Sequence, residues 1–202
     1  DGEECHQAAE VVVMACNGVG TPRILLNSKS SQFPDGLANT SGMVGKNLMF
    51  HPMGYVQGVF DEKLDSHKGP TGCCILSKEF YETDLNRGFV RGYNMQITRG
   101  PGPFNTAIQG HYTGKIPWGA GHHEAFQSRF DHTAGIGVLC EDLPEEHNAV
   151  TLDPSLKDSD GIPAAKINYT VSENSQKMLA HGLARAEEVM HAAGAREINN
   201  NG

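Results

Sequence analysis

The chain has 202 residues, of which 38% are hydrophobic, enough to bury a sizeable core and too many for a disordered chain. Its 24 acidic residues outnumber its 16 lysines and arginines, giving a formal charge of −8 with no basic run, which argues against nucleic acid as a partner. No apolar stretch approaches the ~20 residues of a membrane span.

In chain order, Asp1-Gly2 is a turn pair whose returning strand would be Glu3 to Gln7. Opening on Asp1 and closing on Asn199-Asn200-Asn201-Gly202, the chain reads as a piece cut from a longer polypeptide. Val11 to Ala15 is a continuous β-branched run, the pattern of a strand buried on both faces. Asn17-Gly18-Val19-Gly20 breaks it, and Thr21-Pro22 then starts a helix, with Thr21 as N-cap and Pro22 at the first helical position. A polar loop follows from Ser28 to Gly42. From Met43 onward the texture becomes short apolar or alternating segments between turns. Gly54–Phe60, Cys73–Leu76, Phe89–Thr98, Thr106–Tyr112, Thr133–Cys140 and Ala149–Leu152 read as strands spaced for an antiparallel sheet, and Ala165–Thr170 reads as another short strand after a polar turn. His123 to Arg129 suits a short helix. The clearest helix starts at Ser172 as N-cap, carries Leu179, Leu183, Ala186, Met190 and Ala193 as an apolar stripe, and stops at Gly194. The expected fold class is α+β, a mainly antiparallel sheet with flanking helices.

Five cysteines, an odd number without a C-x-x-C pair, argue against a disulfide framework and a structural zinc site, so buried thiols are expected. His122, His123 and Glu124, with His132 nearby, lack a third ligand of convincing spacing, so no metal site is expected. Ala15-Cys16-Asn17-Gly18-Val19-Gly20-Thr21-Pro22 is a glycine turn between a strand and a helix start, where backbone amides and the positive helix end meet. It is neither G-x-G-x-x-G nor a phosphate-binding P-loop, and an ordinary strand–helix turn has the same pattern. Val44-Gly45-Lys46-Asn47-Leu48-Met49-Phe50-His51-Pro52 is the second segment of interest; Pro52 keeps His51 out of helical backbone. Tyr93, Asn94, Gln96, Gln109, His111 and Tyr112 spread polar groups along two candidate strands, which suits either a sugar or polyol site or a solvated sheet face.

Together, V-V-V-M-A-C-N-G-V-G-T-P-R-I-L-L-N-S and S-G-M-V-G-K-N-L-M-F-H-P closely resemble the glucose–methanol–choline (GMC) family of FAD-dependent oxidoreductases, with Cys16-Asn17-Gly18 where many members have Ala-Gly-Ala. Val150 to Pro154 and Gly161 to Pro163 resemble that family's substrate domain, and the resemblance covers essentially the whole chain. It implies oxidation of CH–OH groups of an alcohol, in the sugar, sugar acid or polyol class, by hydride transfer to FAD. The family's glycine-rich flavin motif is absent here, and its catalytic His/Asn pair lies beyond Gly202. The resemblance thus divides the chain into the end of a flavin domain (1–42), a substrate-binding sheet (43–171) and that domain's amphipathic helix with a truncated tail (172–202). It places Ala15, Cys16, Asn17, Gly18, Thr21 and Pro22 against the cofactor. Asn47, His51, Tyr93, Gln96 and His111 are the expected substrate-side residues. FAD is expected in the full-length protein and not on this chain alone, which is expected to be inactive and to self-associate through exposed sheet edges. A non-catalytic module for a small polar ligand, or a purely structural domain, remains the alternative.

Overall fold

The computed structural model describes residue 3 and residues 5–69 and 72–201. They form two compact units, the first running to Phe50 with Leu143–Thr170, the second His51–Asp142 with the chain from Val171. Residues 143–170 group with the first unit in this division, whose seams fall at 50/51, 142/143 and 170/171, beside the boundaries expected at 42/43 and 171/172.

In the first unit, α1 (Asn17–Asn27) packs on a two-stranded antiparallel ribbon, β5 (Ala149–Lys157) and β6 (Pro163–Asn168). Arg23 ties the two: its Nε donates to the Pro163 carbonyl at 2.8 Å and its Nη2 to Asp158 Oδ2 at 2.6 Å. The Val44–Leu48 segment clamps onto β5. Val150 N donates to Gly45 O and Leu48 N to Asn148 O, both at 2.8 Å. Gly45 has φ +87°, and a Cβ there would run into the Val150 carbonyl, so only glycine fits. Asn148, 1% exposed, exchanges hydrogen bonds with the backbone of Thr170.

The second unit is built on a five-stranded antiparallel sheet in the order β2 (Cys73–Ser77), β3 (Tyr93–Thr98), β4 (Thr133–Cys140), β1 (Met53–Val59), β7 (Glu197–Asn201). The long helix α4 (Glu173–Ala192) covers one face. Ser172 caps it, accepting from Ser175 N at 3.1 Å, and Gly194 follows it at φ +88°. Met178, Leu183, Ala186 and Met190 pack on Val56, Tyr93, Met95, Ile136, Val138 and Cys140. Each large side chain so buried contributes about 1.5–3 kcal/mol. Gly182 lets the helix approach closely, since a Cβ there would press on Val138 and Tyr93. Burial pushes the Cys140 thiol up to about 12.

Several expectations need correction. Val11, Val12 and Val13 are 78%, 74% and 81% exposed, and neither they nor Glu3–Gln7 belong to a strand among the described residues. The run has the composition of a buried strand but no neighbour here to pair with. The expected Asp1-Gly2 turn lies outside the described residues. Helix α1 begins at Asn17, so Thr21 and Pro22 sit inside it instead of starting it. Thr106–Tyr112 belongs to a helix, α2 (Pro103–Tyr112), with Pro103 at its first turn. Its large apolar residues recur at steps of four (Phe104, Ile108, Tyr112), a helical spacing that strand alternation does not produce. β7 was not expected, because Glu-Ile-Asn-Asn-Asn is poor strand sequence; pairing with β1 imposes it. Of the cysteines, Cys5, Cys16 and Cys73 are exposed and only Cys140 is described as buried.

His181 of α4 packs against Phe80 and Phe89 and bonds the Tyr93 hydroxyl at 2.8 Å. Burial, reinforced by Arg185 and Arg87, holds its pKa below the usual 6.5. A histidine kept neutral in the folded state contributes stability that is present above about 6.5 and lost as pH falls through its lowered folded value. Melting temperatures of the wild type should therefore fall more steeply below pH 6.5 than those of His181→Asn. Parallel pH profiles for the two proteins would refute this role.

Candidate functional site

The sheet face opposite α4 carries a polar centre, bordered by Leu139, Met53 and Leu76, and strand register explains why. Tyr93, Met95 and Ile97 pair with Cys140, Val138 and Ile136 on the α4 side. The intervening residues must point the other way. They line up across four strands in two rows: Gln96, Gly137, Tyr55 and Asn201, then Thr98, Gly135, Gln57 and Asn199. β4 supplies a glycine to each row, so the centre of the face is hollow. The Tyr55 ring fills part of the hollow over Gly135, and its hydroxyl meets Thr98 Oγ1 at 2.9 Å. Asn94, two residues before Gln96, has a buried Oδ1 without a hydrogen-bond partner among the described residues.

Above the β1–β7 side of this face lies α2, followed by α3 (His122–Gln127). Between α2 and the sheet is a cavity of about 320 Å³, lined by Tyr55, Gln57, Asn199 and Asn201 from the sheet and by Thr106 and Gln109 from α2. That volume is within the range of small-molecule sites. Lys115 and Arg129 also line it, and both pair with Glu197, Lys115 Nζ to Oε1 at 3.0 Å and Arg129 Nη2 to Oε2 at 2.6 Å. Burial alone would raise the Glu197 pKa; the hydrogen bonds from Arg129 and Lys115 outweigh it and lower the carboxyl to about 2.

Of the expected substrate-side residues, Gln96 lies on the polar face. Tyr93 does not: it is 1% exposed beneath α4 and bonded to His181. Neighbours in a strand alternate faces, so Tyr93 and Gln96 could not share one. His111 is exposed on α2 beside Trp118 and does not line the cavity, although Gly110 and Tyr112 do. His51 lies at the approach to β1 with Nδ1 3.4 Å from the Cys140 carbonyl. Asn47 belongs to the first unit, at φ +58° in the clamp on β5. His122 and His132 face the carbonyls of Pro117 and Phe60. Tyr55, Gln57, Asn199 and Asn201 were missed; the alternation of Tyr55 and Gln57 with Val56 was the available signal for the first two.

The turn at α1 has a geometry of its own. Asn17 Oδ1 accepts from Val19 N at 2.9 Å and from Gly20 N at 3.0 Å, while Thr21 Oγ1 accepts from Cys16 N at 3.3 Å. The first-turn amides that would cradle a phosphate are thus partly taken by the chain itself. Cys16 to Gly18 are exposed, and the space beside Gly18 is open. The turn suits a flat contact with a neighbouring group better than an anion cradle.

No protein-family profile matches the chain. Known proteins do. A 2-methyl-1,2-propanediol dehydrogenase of Mycolicibacterium austroafricanum is 43% identical over 96% of this chain and 35% of its own length. The large subunit of a fructose dehydrogenase from Gluconobacter japonicus is 27% identical over 98% of the chain and 36% of its own length. A paromamine 6′-oxidase of Streptomyces fradiae is 28% identical over 98% of the chain and 34% of its own length. The chain therefore spans about a third of the length of these relatives.

The two glycines of β4 are not equivalent. A Cβ at Gly135 would overlap the Tyr55 ring, whereas one at Gly137 would meet only ordinary contacts with Leu139 and the Gln96 carbonyl. Gly135→Ala should displace Tyr55 and cost about 1–3 kcal/mol. Gly137→Ala should cost clearly less. Urea denaturation of both variants compares them, and equal stabilities would contradict the packing described here.

Proposed function

This chain belongs to the glucose–methanol–choline family of oxidoreductases, and we propose that it forms the substrate-side wall of an FAD-dependent enzyme that oxidises CH–OH groups of small alcohols. The observation that carries the proposal is the hollow polar sheet face, with amide and hydroxyl side chains in two registered rows opposite the helix-covered core. Amides of this kind both donate to and accept from hydroxyls, as recognition of a polyhydroxylated molecule requires.

FAD supplies the hydride acceptor when bound. On this chain, Ala15, Cys16, Gly18 and the start of α1 would meet it by an open backbone surface, with Asn17, Thr21 and Pro22 shaping the turn behind. Asn17 occupies two amides of that turn, so the pyrophosphate would be held by other parts of the protein. The exposed β-branched run Val11–Val13 supports assigning this end of the chain to a larger sheet, the nucleotide-holding half. The contribution of the second unit is to hold and orient the alcohol. Gln96 on β3, Gln57 and Tyr55 on β1, and Asn199 and Asn201 on β7 offer hydrogen bonds to its hydroxyls.

The test is anaerobic mixing of the flavin-loaded, full-length protein with diols, polyols and sugars while flavin absorbance is followed. Bleaching by at least one of them is expected. Gln57→Leu and Gln96→Leu should each lower kcat/KM by about tenfold, the loss of one hydrogen bond to a buried hydroxyl. Oxidised flavin persisting with every alcohol tried would overturn the proposal.

A further inference from the structure

The cavity beneath α2 has an electrostatic asymmetry that the alcohol chemistry does not use. The charged residues that line it are Lys115 and Arg129, two cations. Among the described residues, Glu197 is the one carboxylate within ion-pair distance of either, and both share it. One positive charge is left over in a chain whose formal charge is −8. The end of α2 does not cancel it. The Gln109, Gly110 and His111 carbonyls of its last turn already accept from the backbone of Thr113, Gly114, Lys115 and Ile116. Nor can Glu197 be discharged at ordinary pH, since its pKa lies near 2. Arg129 keeps further N–H donors beyond the one given to Glu197, and Lys115 faces Glu197 Oε1 as an ion pair at 3.0 Å.

We propose that Lys115 and Arg129 form a monoanion subsite, and that the preferred substrate is an alcohol carrying a carboxylate, such as a hydroxy acid or sugar acid. This rests on the alcohol-oxidising function proposed above and narrows it. The carboxylate binds toward Lys115 and Arg129, which leaves the hydroxyl-bearing end to the amide rows of Gln57 and Asn199. Charge-assisted hydrogen bonds are about twice as strong as neutral ones, so the subsite discriminates acids from their neutral counterparts. Glu197 tunes the subsite, positioning both cations while removing one unit of their charge.

Equilibrium binding to the flavin-loaded, full-length protein tests it with matched pairs, gluconate against glucitol and glycerate against glycerol. In the wild type the acid should bind at least about tenfold tighter than its neutral partner. Lys115→Gln should shrink that ratio several-fold, and Lys115→Arg should restore it. Glu197→Gln, if it folds, should enlarge it by freeing the second cation, an effect that mere structural damage would not produce. Raising salt should compress the ratio. Equal binding of acids and neutral polyols, or a Lys115→Gln variant with an unaltered ratio, overturns the subsite. The two proposals fail separately. Alcohols that bleach the flavin without a preference for acids leave the oxidoreductase standing and the subsite refuted. Acids that bind with the expected Lys115 dependence, without bleaching by any alcohol, do the reverse.

Discussion

The register of β4 is the constraint on which the second unit depends. β4 pairs with β3 on one side and β1 on the other, so its alternation orders both. Ile136, Val138 and Cys140 face α4, while Gly135 and Gly137 face the polar rows. A slip of one residue would put the glycines under the helix and the apolar side chains among the amides. Core and candidate site are therefore two faces of one decision. The cost of a wrong register is several buried side chains, each of about 1.5–3 kcal/mol, and that cost protects the hollow on the other side.

Close approach recurs wherever a face must be shared. Gly182 brings α4 onto Val138 and Tyr93, Gly135 receives the Tyr55 ring, and Gly45 admits the Val150 carbonyl. The last of these changes what the Val44–Leu48 motif means. In this protein its glycine and leucine hold a backbone clamp on β5 through Val150 and Asn148. Its local role is packing within the first unit, while His51, a few residues on, starts the second.

Charge is distributed with similar economy. Glu197 sits on the edge strand β7, yet holds the side chains of Lys115 and Arg129 from two separate segments following α2 and α3. Desolvation opposes the ionised carboxylate and the two cations more than compensate. Such a triad orders the cavity wall and sets its electrostatic sign at once.

Local signals identified much of the fold. The bounds of β4 were readable from Thr133 to Cys140, and Ser172, the 179–193 stripe and Gly194 marked α4, because alternation, capping and helical spacing are properties of a few adjacent residues. The paired motifs around Thr21-Pro22 and Asn47 pointed to the family for the same reason. Tertiary structure decided the rest. β7 exists because β1 offers it a hydrogen-bonding edge, and Val11–Val13 stays unpaired because no edge is offered to it among the described residues. Likewise Asn199 and Asn201 join Gln57 and Tyr55, and Lys115 and Arg129 meet Glu197, across long stretches of chain. Sequence carries which way a side chain alternates; only the folded sheet fixes which strands lie beside it, since pairing energy depends on partners distant in the chain.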